Sequence, residues 1–209
     1  MESAVGSWRT SLARWTLRSP RALALALAGC TAMLTVGDLL HVRYGVIAYP
    51  SSGPLFGQAW WVAPGFAIAV VAMVVAAWPF AEFIARQRRK DILRDAAWFF
   101  ASYAGTAVAG AKVVGLTALL FGLWMYRLGS RPDRRPLAVF SVVLGLGGTV
   151  AEIALHATGL CRYSQRQLWN VPVWLPLLYM MGAPLAVGVA RWVRGEPPLE
   201  EPPSSGWDA

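Results

Sequence analysis

Charge is what this chain has least of. Only 14% of its 209 residues are Asp, Glu, Lys or Arg, where a soluble domain carries about a quarter. That is too little to cover a water-facing surface, and it excludes an ordinary soluble globular protein. Lysine is nearly missing, standing at 90 and 112 alone, so 17 of the 19 basic residues are arginine. The skew, with abundant Ala, Gly, Val and Trp, points to a high-GC bacterial genome. Cysteine occurs twice, which rules out a disulfide framework. Cys30 lies in an apolar run and Cys161 in a connecting segment, at depths too different for a bond. Histidine also occurs twice, far short of what membrane desaturases and hydroxylases need. No Walker loop, GxSxG elbow, CxxC pair or HExxH helix is present, which argues against the common enzyme classes and leaves binding open.

Apolar residues, 56% of the chain, gather in runs at about 22–41, 59–80, 96–126, 136–157 and 172–192. A span needs about 20 residues, so this is an integral all-α membrane protein. The run 96–126 is too long for one crossing and short for two. Taking it as two short helices joined by a tight turn near Lys112 gives six transmembrane helices. It also puts 15 of the 19 basic residues on one side, as the positive-inside rule requires; a re-entrant hairpin satisfies the charges equally well. The expected organisation is a basic cytoplasmic segment over 1–21, a six-helix domain over 22–193, and a disordered acidic, proline-rich cytoplasmic tail over 194–209. This implies a multi-pass protein of the inner membrane with both termini cytoplasmic. The net charge of +8 reflects orientation and predicts no nucleic-acid partner. "LAGC" at 27–30 imitates a lipoprotein cleavage box, but the apolar run continues past Cys30, where a mature lipoprotein turns polar.

Small residues permit close helix approach in a membrane. Ala101, Gly105 and Ala109 form one such ridge, Ser141 and Gly145 another, and Gly182, Ala186 and Ala190 a third. They suit intramolecular packing or a homo-oligomer. The ionisable residues inside the spans are the functional candidates: Asp38 with His41, and Glu152 with His156, each pair on one helix face. As acid–base or metal pairs they would support a membrane enzyme acting on a lipid headgroup; as polar lining they would support a lipid pocket; hydrated at the interface they need no function.

With the spans placed, a family resemblance emerges. "AWWVAP" at 59–64 resembles the "AWWVPP" that opens the second span of Insig proteins. "GTAVAGAK" at 105–112 is similar to the family's "INHASAK", and "GLW" at 122–124 to its "GLWW", followed by the arginine-rich "RLGSRP". "GLCRYS" at 159–164 matches the pattern "GVYQYT", and "WLP" at 174–176 stands where Insigs have "SWLPC". These pieces keep their order over roughly 59–192. The resemblance implies a six-span fold and lipid-sensing ancestry; animal Insigs bind oxysterols and retain Scap. Trp124 maps to a tryptophan at the sterol site, and Leu128 stands where the animal proteins carry an acidic residue.

The expected function is therefore a non-enzymatic Insig-like protein holding a neutral lipid in an intramembrane cavity, as a lipid sensor. The ligand would be diacylglycerol-like, or sterol- or hopanoid-like, with diacylglycerol leading because it offers one hydroxyl and is present in every bacterial membrane. The expected lining is Trp124, Phe121 and Thr117 with Asp38, Glu152 and His156. No catalytic residue, metal, cofactor or particular protein partner is assigned.

Overall fold

The computed structural model describes residues 20–51, 53, 56–196, 198 and 199. The expected N-terminal segment, apart from Pro20 and Arg21, and the tail from 200 onward lie outside the described residues. Seven α-helices occur among the described residues: α1 (Pro20–Arg43), α2 (Val62–Ala77), α3 (Arg89–Ala109), α4 (Val113–Gly129), α5 (Arg134–Ala157), α6 (Leu175–Met181) and α7 (Ala183–Val193). A 3-10 turn, Phe80–Glu82, follows α2. Two short strands, β1 (Ile47–Ala48) and β2 (Arg162–Tyr163), pair antiparallel with Ile47 opposite Tyr163.

Length separates these helices. At 1.5 Å per residue the 24 residues of α1 and of α5 reach about 36 Å, past the roughly 30 Å of hydrocarbon in a bilayer. Both are apolar enough to cross, and α6 with α7 adds a third candidate if their 41° bend is one broken span. The bend has a local cause. Pro184 stands at the second residue of α7, where it can neither donate to the preceding turn nor avoid its carbonyl. The last element is thus two helices rather than the single one expected.

The pair expected to be short is only half so. α4 has 17 residues, but α3 has 21 and begins at Arg89, well before the apolar run. Asp91 in its first turn accepts the backbone N–H of Arg88 at 3.3 Å, so the polar stretch "RKDILRD" is already helical. The tight turn is there: Gly110–Lys112 join the two helices, with the Lys112 N–H donating to the Ala109 carbonyl at 2.8 Å.

Two close approaches fix the packing. A Cβ on Gly37 of α1 would sit 2.3 Å from the Tyr103 ring of α3. On α5, a Cβ on Gly148 would lie 2.5 Å from the Tyr179 ring, and one on Gly145 2.8 Å from Met180 Cγ. Ala186 and Ala190 are likewise buried. The Ala101–Gly105–Ala109 ridge differs: Ala101 is exposed and the space above Gly105 is open.

One end of the bundle carries the β1–β2 ladder and the α3–α4 turn. The other carries most of the described arginines, several tied to buried acceptors. Asp95 accepts from Arg127, Arg131 and Gln87, and Arg191 donates to the Ala81 and Ile84 carbonyls. The start of the tail joins this end, with Glu196 paired to Arg191 at 2.9 Å and the Leu199 N–H donating to the Gln87 carbonyl at 3.0 Å.

Candidate functional site

Near the ladder end two helices each turn a carboxylate inward. Asp38 lies five residues before the end of α1, about 8 Å along its axis. Its neighbours on the helix do not satisfy it; the chain beyond does. After β1 the segment folds back, and the Tyr49 hydroxyl donates to Asp38 Oδ1 at 2.8 Å while Gln58 Nε2 donates to Oδ2 at 2.7 Å. Gln58 donates as well to the Thr35 carbonyl at 3.1 Å, which pins the segment to α1.

Glu152 repeats the arrangement on α5. The Tyr179 hydroxyl of α6 donates to Oε1 at 2.7 Å, and that of Tyr163 on β2 to Oε2 at 2.9 Å. Because β1 and β2 pair, Tyr49 and Tyr163 are presented from one small ladder. Burial, and next the adjacent carboxylate, pushes both the Tyr49 and Tyr163 phenols well above their usual range, so both remain protonated donors. Among the described residues neither Asp38 nor Glu152 has an ion-pair partner.

Both carboxylates line one cavity of about 360 Å³ enclosed by α1, α2, α3, α5 and α6. Its remaining wall is mainly apolar and aromatic, including Trp61, Phe66, Tyr103 and Trp174. Away from the ladder it narrows into a crevice of about 40 Å³, sharing Leu34, Met73, Phe99 and Gly182 with it and continuing along Cys30, Val70 and Leu185. The space is polar at one end and apolar at the other. A cavity of this size with a few convergent polar groups matches small-molecule sites generally.

The acid–histidine pairs expected from spacing do not form. The Gly37 carbonyl can only accept, so His41 Nδ1 carries a hydrogen and donates to it at 2.8 Å. Nε2 faces Thr106 Oγ1 at 3.0 Å, and the ring packs on Tyr103 with centroids 4.7 Å apart. His41 borders the cavity, but its nitrogens point elsewhere. His156 is half-buried outside the cavity, its Nε2 without a hydrogen-bond partner among the described residues. Those residues hold no grouping of three or more His, Cys, Asp or Glu suited to a metal.

The expected lining residues divide between places. Asp38 and Glu152 meet in the cavity. Trp124, Phe121 and Thr117 do not reach it, because α4 is peripheral and buries only Leu116 and Leu120. Phe121 is 52% exposed, and the Thr117 hydroxyl returns to the Val113 carbonyl of its own helix at 2.7 Å. Trp124 borders a separate polar cleft at the arginine end, near Asp95 and Arg131. Sequence reasoning missed the tyrosines. Of the six in the chain, four (Tyr49, Tyr103, Tyr163 and Tyr179) line the cavity. Their concentration in a chain poor in polar side chains was the available signal.

No family model matches the chain, and no curated protein matches it. Solved structures do. MvINS, a mycobacterial Insig homologue from Mycobacterium vanbaalenii, superposes with a TM-score of 0.66 at 23% identity, over 86% of this chain and 94% of that one. A cross-linked MvINS trimer gives 0.73 at 20% identity, over 87% and 98%. The fold is Insig-like. At these identities the likeness is one of architecture, and it extends over nearly the whole of MvINS. With its apolar helices, the chain is a membrane protein of the Insig-like fold. The resemblance carried by "AWWVAP" and the later motifs therefore agrees with the three-dimensional comparison. The Insig-like bundle here encloses a cavity whose polar end is built from two carboxylates and their tyrosines.

Proposed function

We propose that this protein binds a membrane lipid with a small, uncharged, hydroxyl-bearing head, diacylglycerol-like in chemistry, and acts as a lipid sensor. The observation that carries this reading is the gradient inside the cavity. Asp38 and Glu152 stand at one end and a wholly apolar crevice at the other. An amphiphile is the kind of molecule that matches both at once. Each carboxylate is held by neutral donors and keeps acceptor capacity, so a hydroxyl head would donate into that end while an acyl chain follows the crevice.

Six crossings, counting the bent α6–α7 pair as one, put the arginine end in the cytoplasm of a bacterial inner membrane. The short α2 and α4 would be accommodated by local thinning or by neighbours. MvINS has been captured as a cross-linked trimer; for this chain the open face over Ala101 and Gly105 supports a homo-oligomer.

Lipid mass spectrometry on the detergent-purified protein tests the reading. Diacylglycerol should be enriched well above the level carried by an unrelated six-span protein purified in parallel. Recovery of bulk phospholipid in the same proportions as the control would refute it.

A further inference from the structure

We infer that the cavity opens sideways into the bilayer through a slot between α2 and α5. A two-chain lipid then sits with its head and one acyl chain inside, while its second chain runs out through the slot. The inference rests on the cavity being an amphiphile site and concerns how much of the ligand that site encloses.

The walls differ in what they leave open. Every residue that α1 contributes to the cavity is buried. The gaps lie on two other helices. Gly65, Phe66 and Ala69 of α2 are half-buried, as are Glu152 and Leu155 of α5, and Ala151 of α5 is exposed. These same two helices barely meet, although α1 packs along α2 and α6 along α5. Partial exposure on both sides of a loosely packed helix pair marks the mouth of the cavity. Three of its residues are Gly or Ala, and a Cβ on Gly65 would approach only the Trp61 ring, at 3.9 Å. The frame is therefore low in bulk.

Depth decides what the mouth faces. Ala69 stands seven residues into α2 and Ala151 six before the end of α5, about 10 and 9 Å along their axes. In a membrane with about 30 Å of hydrocarbon, an opening that far from the helix ends meets acyl chains. Size decides what passes through it. The cavity, about 360 Å³, is near the lower end of the roughly 300–1,000 Å³ typical of sites for drug-sized ligands. A glycerol head with two long acyl chains is larger than such a ligand, and the crevice of about 40 Å³ has room for one chain. Leaving the other outside sacrifices little, because lipid tails are as apolar as the leucines of a protein interior. The enclosed polar head then supplies the selectivity.

The test is saturation binding of radiolabelled dioleoylglycerol and monooleoylglycerol to the detergent-solubilised protein, with uptake by empty micelles subtracted. Ala151→Trp fills the slot and should weaken dioleoylglycerol at least tenfold while leaving monooleoylglycerol within about threefold of wild type. Val142→Trp is the control: Val142 is 43% exposed and lies about two and a half turns from Ala151, on the other side of α5. It should change neither affinity by more than about twofold. Wild-type affinity of Ala151→Trp for both lipids would overturn the inference and leave the amphiphile site standing, as would equal weakening of both. Absence of saturable binding of either lipid to the wild type would overturn both readings. Should Ala151→Trp fail to fold, Ala69→Leu narrows the slot from α2, and the same loss confined to the two-chain lipid is expected of it.

Discussion

The Tyr49 hydroxyl donates to the Asp38 carboxylate at 2.8 Å across a reversal of the chain. Asp38 is 4% exposed, so removing one of its two donors leaves a lone pair in a place water barely reaches. Tyr49→Phe should lower stability in detergent by about 1–3 kcal/mol, the cost of an unsatisfied buried acceptor. The double variant Tyr49→Phe/Asp38→Asn should lose less than the sum of the single changes. Thermal unfolding of the four proteins of the cycle measures both quantities; strict additivity would mean that the pair is not coupled.

The approach of α1 to α3 predicts an asymmetry between two glycines. Gly37→Ala forces a methyl group to within 2.3 Å of the Tyr103 ring and should cost about 1–3 kcal/mol through overpacking. Gly105→Ala faces open space and should stay within about 0.5 kcal/mol of wild type. Melting temperatures in one detergent compare them directly.

Asp95 is 3% exposed and holds Arg127 and Arg131, which are 11% and 15% exposed. Asp95→Asn leaves two guanidinium groups without their shared anion and should destabilise the arginine end by about 3 kcal/mol. Limited proteolysis in the α4–α5 connection should then become faster than in the wild type.

Cys161 lies in the α5–α6 connection, fully buried, and burial pushes its thiol up to about 12. At pH 8 only on the order of one thiol in ten thousand is thiolate, the form that alkylates. Maleimide should therefore leave Cys161 unmodified in the folded protein and label it after denaturation. Rapid labelling at pH 8 would show that the connection opens.

The cavity and the α4 helix make opposite forecasts for ligand binding. Trp124→Ala and Phe121→Ala should leave amphiphile affinity within about twofold, since neither side chain borders the cavity. Trp174→Ala should weaken it at least tenfold, because that buried ring is part of the cavity wall and its loss removes apolar contact area from the ligand. Saturation binding with one labelled amphiphile distinguishes the sets.

Much of the architecture was legible in one dimension because the membrane leaves few options. Apolar runs of span length and one-sided arginines sufficed to place α1, α2 and α5, and the turn at Lys112. They did not reveal that α3 starts at Arg89, because Arg and Lys favour helix as much as they favour water. They did not reveal the break at Gly182 either, since Pro184 sits in a run whose hydropathy never falters.

The residues of the site divide in the same way. Asp38 and Glu152 were identifiable as carboxylates inside apolar helices, where ionisable groups are costly and are candidates for function. Their partners were not. Spacing reports neighbours three and four residues away on one helix, and so proposed His41 and His156. The actual donors lie 11 residues along the chain for Tyr49 and Tyr163, and 27 for Tyr179. Composition and periodicity determined that this is a helical membrane protein with two costly carboxylates among its spans. Only the tertiary fold decided that the β1–β2 ladder and the Gly148–Tyr179 contact bring tyrosines to them, because a buried acceptor takes whichever donor the packing delivers, at any distance in sequence.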